Sequence, residues 1–200
     1  MMRVAVIDSG GANIGSVRYA LDRLGVASIL TSDANVIGES ERVILPGVGA
    51  AAIAMARLHE LGLIDTLRSL TQPVLGICLG MQLLFESSEE GEVQTLGLLP
   101  GRVTKLPEAP GVRIPHMGWN QLVLRRESPL LGGIASGDSC YFVHSYAAPV
   151  TADCIASSAH GVPFAALVQR GNIAGAQFHP ERSGATGARL LQNFVCGEIA

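Results

Sequence analysis

Two short segments hold the residues of this chain best suited to covalent chemistry. One is a cysteine bracketed by glycines, Gly76-Ile77-Cys78-Leu79-Gly80, and the other a histidine two residues ahead of a glutamate, Gln177-Phe178-His179-Pro180-Glu181. The cysteine stands where one apolar run, 73–77, gives way to a second, 79–85, and the junction reads as a strand turning sharply into a helix. Small neighbours are needed there, because larger side chains would block both the turn and the close strand–helix packing. A thiol at a helix N-terminus meets unpaired N–H groups and the positive end of the helix dipole, which favour thiolate. In the second segment, positions i and i+2 of an extended chain point the same way, with Cα atoms roughly 7 Å apart. The carboxylate can then orient the imidazole. Cys78, His179 and Glu181 read as nucleophile, base and orienter of an enzyme.

Other chemistry-bearing residues have plainer readings. Cysteines in apolar runs are more often small core residues, and Cys140, Cys154 and Cys196 lack the glycine bracket. No metal site is read. Cys140 and His144 share a strand face but stand about 13 Å apart along it, too far for one ion. Gly47-Val48-Gly49-Ala50-Ala51-Ala52 matches the dinucleotide pattern G-x-G-x-x-A, yet it follows the third strand instead of the first. The better reading is a loop whose N–H groups face the cysteine as oxyanion donors. Glycine on both sides of Val48 would let that peptide turn at little steric cost. The acidic run Glu86-Ser87-Ser88-Glu89-Glu90-Gly91-Glu92 reads as a solvated helix end, with the alternative that its carboxylates hold a substrate ammonium group.

The elements that must position these residues alternate through the first half. Residues 3–8, 27–31, 42–45 and 73–77 are strand-like, while 14–24, 51–61 and 64–70 are helical, the first with Asn13 as candidate cap. Near-continuous apolar strands joined by helices predict an α/β fold, a largely parallel central sheet with helices on both faces. The second half offers strand-like pieces at 102–106, 121–124, 140–146, 154–158, 165–169 and 173–177, which predict an antiparallel β extension. Helical period returns at 184–195, where Ala188, Leu191, Phe194 and Val195 form one face. At 200 residues and 48% hydrophobic, one domain over 1–200 is expected. Charged residues make up 16% with a net charge of −3 and no basic cluster, which argues against nucleic acid. No apolar run approaches the ~18 residues of a membrane span, and four cysteines without paired spacing suit a reducing, cytoplasmic compartment.

With its glycine-bracketed cysteine and His179-Pro180-Glu181, the chain resembles the class I (triad) glutamine amidotransferases over nearly its whole length. Pro46-Gly47-Val48-Gly49, Pro115-His116-Met117-Gly118-Trp119-Asn120 and Tyr141-Phe142-Val143-His144-Ser145-Tyr146 are more particular. They make it most similar, within that family, to the glutaminase subunits of imidazole glycerol phosphate synthases. The resemblance implies a flavodoxin-like fold, glutamine as substrate and no cofactor. It assigns Cys78 as nucleophile, His179 as acid and base, and Glu181 as its orienter. It also implies an oxyanion hole at Gly47, Val48 and Gly49 with the amide of Leu79, and glutamine binding by Gln82, Glu90, Ser145 and Tyr146. Its partner would be a (β/α)8-barrel cyclase in a heterodimer, which takes up ammonia and makes imidazole glycerol phosphate and aminoimidazole carboxamide ribotide. Asn13 and Arg182 would lie at that interface. Arg182 stands where the family usually has lysine, and Ser9 and Ala12 depart from the family's Asp-Tyr-Gly-x-Gly-Asn. Rivals are the glutaminase of a pyridoxal 5'-phosphate synthase, which usually has Gly-Gly-Glu-Ser in place of Pro46-Gly47-Val48-Gly49, and a non-catalytic module of the same fold. Decay of such a module would be expected to remove the nucleophile first.

Overall fold

A computed structural model describes residues 3–10 and 14–199. Its first half runs β1 (Val4–Ile7), α1 (Ile14–Arg23), β2 (Ser28–Thr31), α2 (Ala34–Gly38), β3 (Arg42–Gly47), α3 (Ala51–Glu60), α4 (Ile64–Ser69), β4 (Val74–Cys78) and α5 (Leu79–Gln82). The second half runs β5 (Ser87–Ser88), β6 (Val93–Gln94), β7 (Arg102–Lys105), β8 (His116–Gln121), β9 (Val123–Leu124), β10 (Ser139–His144), β11 (Tyr146–Ala147), β12 (Cys154–His160), β13 (Val162–Arg170), β14 (Ile173–Ala176) and α6 (Gly184–Cys196). The main sheet has the order β2-β1-β3-β4-β14-β13-β12-β9. Its β2-β1-β3-β4-β14 part is parallel, and the rest is antiparallel. This is the α/β architecture that the alternating apolar runs predict.

Why the strands are apolar throughout is visible in how they are covered. Val4, Val6, Ile44, Leu75 and Ile77 pack with Val17 and Leu21 of α1 and with Leu190, Leu191 and Phe194 of α6. Their neighbours Ala5, Ile7, Val43, Leu45 and Val74 pack on the opposite side with Leu58 of α3 and Leu67 of α4. Successive strand residues point to opposite faces, so a sheet covered on both faces needs an unbroken apolar run.

The run 79–85 is not one helix: α5 stops at Gln82, and the amides of Leu84 and Phe85 bond three residues back, to Met81 (3.0 Å) and Gln82 (3.3 Å). Leu83, Leu84 and Phe85 are all buried, and a segment buried all round carries no periodicity to tell a helix from turns. The acidic run is not a helix end either. Ser87–Ser88 is a buried strand paired with β6 and β7, and a turn with Gly91 (φ 78°) and Glu92 (φ 49°) follows. The stretch 140–146 divides at Ser145 into β10, paired with β8, and β11, paired with β7 in another sheet. Asn13, expected as cap and interface residue, lies outside the described residues.

Candidate active site

The ends of β3 and β4 form the floor of the site, with Gly47 in register opposite Cys78. Cys78 has φ 54° and ψ −111°; among the described residues only Glu92 is another non-glycine with positive φ. Such a conformation stores strain and persists only when its surroundings fix it. Here the fixing comes from close backbone packing. A Cβ on Gly76 would fall 2.6 Å from the Gly80 carbonyl oxygen, one on Gly47 2.8 Å from the Gly80 nitrogen, and one on Gly80 would overlap the Leu45 carbonyl oxygen. Glycine at 47, the first of the G-x-G-x-x-A match, is therefore explained by the close approach of the elbow. Because Gly47 belongs to β3 and is pressed on Gly80, the rotational freedom expected on both sides of Val48 is confined to Gly49, at φ 98° with open space around it. Gly80→Ala should cost at least about 1–3 kcal/mol of stability by overpacking, measured by chemical denaturation. A loss below about 0.5 kcal/mol, the range of neutral surface changes, would show that the elbow relaxes.

His179 reaches the site from the segment that leaves β14, its amide bonded to the Tyr141 carbonyl at 3.0 Å. Its Nδ1 is 2.8 Å from Glu181 Oε1, with side-chain exposures of 8% and 0%. The pairing does not arise on extended chain, as the i, i+2 spacing suggests. Pro180–Arg182 is a 3-10 turn with proline in its first turn, and the turn brings the carboxylate back under the ring. Burial pulls the His179 imidazole down, but the hydrogen bonds and negative charges of Cys78 and Glu181 outweigh it, and it is pushed up to about 10. The imidazolium is thus retained through neutral pH with the sulfur beside it. With only four residues, α5 has little dipole, so this cation is the main positive charge facing Cys78. The proton on His179 is lost as pH rises towards 10, so the rate should stay level through pH 6–8 and decline in the alkaline range. A step near 6.5, where an ordinary histidine titrates, would contradict this electrostatic picture.

On the other side of Cys78 opens a cavity of about 180 Å³ lined by Val48, Gly49, Leu79, Gln82, Glu90, Val143, His144, Ser145 and Tyr146. That is below the roughly 300 Å³ of sites for drug-sized ligands, and it suits a small amino acid, not a dinucleotide. Gly47 does not line it; with Val48, His179 and Glu181 it borders a separate narrow recess. Glu90 enters from the turn after β5, and its Oε2 accepts the Ala51 amide at 2.8 Å, capping α3 from a distant part of the chain. Arg182 is exposed and lies over the Tyr141 ring at 4.9 Å.

Neutral histidines brace the far lip. His144 Nδ1 is 2.9 Å from the Tyr146 carbonyl, His144 Nε2 is 3.0 Å from His116 Nδ1, and His116 Nε2 is 3.2 Å from the Asn120 amide nitrogen. Burial lowers His144 to about 3, and burial with the nearby His160 charge lowers His116 to about 4. A single proton direction satisfies the chain: Asn120 donates to His116, His116 to His144, and His144 to the Tyr146 carbonyl. Sequence reading missed His144, Val143, whose carbonyl lies 3.7 Å from Cys78 Sγ, and Gln177. The signal for Gln177 was present, since it stands at i−2 from His179. Cys140 and Cys154 are buried as read, and burial first of all pushes the Cys140 thiol up to about 12. Cys196 is exposed, because it follows the buried face of α6 formed by Leu190, Leu191, Phe194 and Val195.

The family model for glutamine amidotransferase class-I matches residues 5–197. The imidazole glycerol phosphate synthase subunit HisH of Xanthomonas axonopodis pv. citri is 62% identical over 195 residues, 98% of each chain. The subunit of the same name from Xylella fastidiosa (strain Temecula1) is 60% identical over the same shares. Among solved structures, a glutamine amidotransferase superposes with TM-score 0.73 at 22% identity, covering 96% of both chains. PurLQS from Thermotoga maritima superposes with TM-score 0.70 at 21% identity, covering 98% of both. At those identities the structural likeness is one of fold.

Proposed function

The chain belongs to the class-I glutamine amidotransferase family, and on that premise we propose that Cys78, His179 and Glu181 are its catalytic triad. It is the glutaminase subunit of an imidazole glycerol phosphate synthase. The observation that carries the assignment is the placement of Cys78 on a strained elbow, between the cavity and the His179–Glu181 pair held at 2.8 Å. The sulfur attacks the side-chain carbonyl carbon of glutamine while the proton is held on His179. Backbone N–H groups of Leu79 and of the Val48–Gly49 loop receive the developing oxyanion, each worth roughly 3–4 kcal/mol. His179 gives its proton to the leaving nitrogen, ammonia departs, and a glutamyl thioester stays on Cys78. Water, deprotonated by His179, then releases glutamate and frees the sulfur, with the proton back on His179. Glu90 supplies negative charge for the substrate ammonium group, and Gln82, Ser145 and Tyr146 supply polar contacts. The whole chain acts as one catalytic domain, since the site draws on segments from β3 to the turn after β14. Its four unpaired cysteines suit the cytoplasm.

Ammonia released to water would become ammonium, so the product must pass directly to a cyclase subunit, with which the chain forms a heterodimer. The face beside the triad is built for a partner. Met117 and Trp119 are 63% and 59% exposed on β8, Trp119 stands opposite Tyr141 of β10 with ring centroids 5.9 Å apart, and Arg182 covers Tyr141. Met, Trp, Tyr and Arg are the residue types enriched at interfaces and their hot spots. Trp119→Ala should weaken the complex by at least about 2 kcal/mol, or roughly 30-fold in Kd. Titration calorimetry with the cyclase checks this, and unchanged affinity would place the interface elsewhere. The function itself is tested by reconstitution. Chain plus cyclase should make imidazole glycerol phosphate from glutamine, while cyclase alone should require added ammonium. If the chain leaves the glutamine-dependent rate at zero, the reading fails.

A further inference from the structure

We propose that Gln177 is a positioning residue of the glutaminase: its buried carboxamide fixes which end of the Gln82 carboxamide meets the substrate and aims an N–H at the nucleophilic sulfur. The inference rests on the glutaminase reading above. Gln177 is fully buried, yet both its partners belong to the site. Gln82 Nε2 lies 2.9 Å from Gln177 Oε1 and 2.8 Å from the Tyr146 carbonyl. A primary amide nitrogen has two N–H donors and no acceptor, so these two acceptors use the nitrogen fully. The Gln82 oxygen is then the end left for the cavity, and the site presents an acceptor there.

The anchor points are themselves fixed. The Tyr146 carbonyl also receives His144 Nδ1, so both its lone pairs are engaged and Gln82 has one place to bind. The other anchor, Gln177, is turned by its own second contact, Nε2 to Cys78 Sγ at 3.9 Å. With its nitrogen towards the sulfur, its oxygen must face Gln82. A sulfur that carries negative charge accepts this N–H better than a thiol does. The same carboxamide therefore ties the direction of the substrate contact to the position of the nucleophile. Flipping Gln82 would set its N–H₂ group against the substrate's own donors and two oxygens against each other at Gln177 and at Tyr146.

The test is a double-mutant cycle on the complex with the cyclase, using Gln82→Met, Gln177→Met and both together, with glutamine as substrate. Methionine matches the length of glutamine without donors or acceptors. Gln177→Met should raise KM for glutamine about tenfold, the scale of one hydrogen bond to a buried polar group. The double variant should raise KM no further than the worse single change, because Gln177 meets bound substrate only through Gln82, while its contact with the sulfur acts on the chemical step. A merely structural role would couple the two changes in stability but would leave KM for glutamine in place. Alkylation of Cys78 by the diazoketone analogue of glutamine, followed by peptide mapping, should slow several-fold in Gln177→Met. Gln177→Asn, which keeps the amide but shortens its reach, should show the same KM change in milder form. Unchanged KM, additive effects of the two methionine changes, or failure of both Gln177 variants to fold would overturn the proposal. Activity surviving in Cys78→Ala would instead overturn the underlying glutaminase reading.

Discussion

Cys78→Ala should lose glutamine-dependent turnover by on the order of 10⁵–10⁶-fold, the scale seen when a nucleophile that works with a base is removed. The expectation rests on the absence of a substitute among the other cysteines. Cys140 and Cys154 are buried, with thiols that burial pushes up, and Cys196 is exposed beyond the inner face of α6. The cavity and its polar lining survive the change, so glutamine should still bind and KM should move little. Ammonia added directly should still support synthesis by the complex. That pattern separates loss of the nucleophile from loss of the fold. A glutamine-dependent rate within tenfold of the parent would mean that another group attacks the amide.

His179→Ala should be nearly as severe, whereas Glu181→Gln should retain on the order of 10²-fold more activity than His179→Ala, as expected when the third group only orients the base. The geometry supplies the reason. Glu181 touches Nδ1 of the ring, on the side away from the chemistry, and its carboxylate stabilises the imidazolium through the hydrogen bond and its charge. Glutamine at 181 keeps an oxygen to accept from Nδ1 but gives up the charge. The alkaline decline of the Glu181→Gln pH profile should therefore begin at lower pH than in the parent. Steady-state rates over pH 6–10 settle both points. Equal losses from the two changes would give Glu181 a direct chemical role.

The parts of this site that were legible in the sequence are those where chemistry and backbone make the same demand. Cys78 between glycines is such a case, because the turn that exposes the thiol excludes side chains on Gly76 and Gly80. The parallel sheet was legible because strands covered on both faces must be apolar at every position. What was not legible depends on contacts between distant segments. Glu90 reads locally as part of a solvated acidic run, and only the fold carries it to the Ala51 amide, 39 residues earlier in the chain. Gln177 lies 95 residues from Gln82, and nothing in its own neighbourhood shows that its oxygen faces another carboxamide. The short α5 was hidden because Leu83, Leu84 and Phe85 are all buried, which erases the period that would have marked its end. Ser145, predicted inside one strand, is the break between β10 and β11 and thus becomes available to the cavity.

The central claim is that glutamine is opened through an acyl group on Cys78. Rapid acid quench of the chain in complex with the cyclase during turnover of isotopically labelled glutamine, followed by peptide mass mapping, tests it most directly. The account predicts a labelled glutamyl group on the peptide carrying Cys78, formed and lost at rates compatible with turnover and absent from Cys78→Ala. Labelled glutamate accumulating with no acyl group on Cys78 at any quench time, or with the group on another residue, would contradict it.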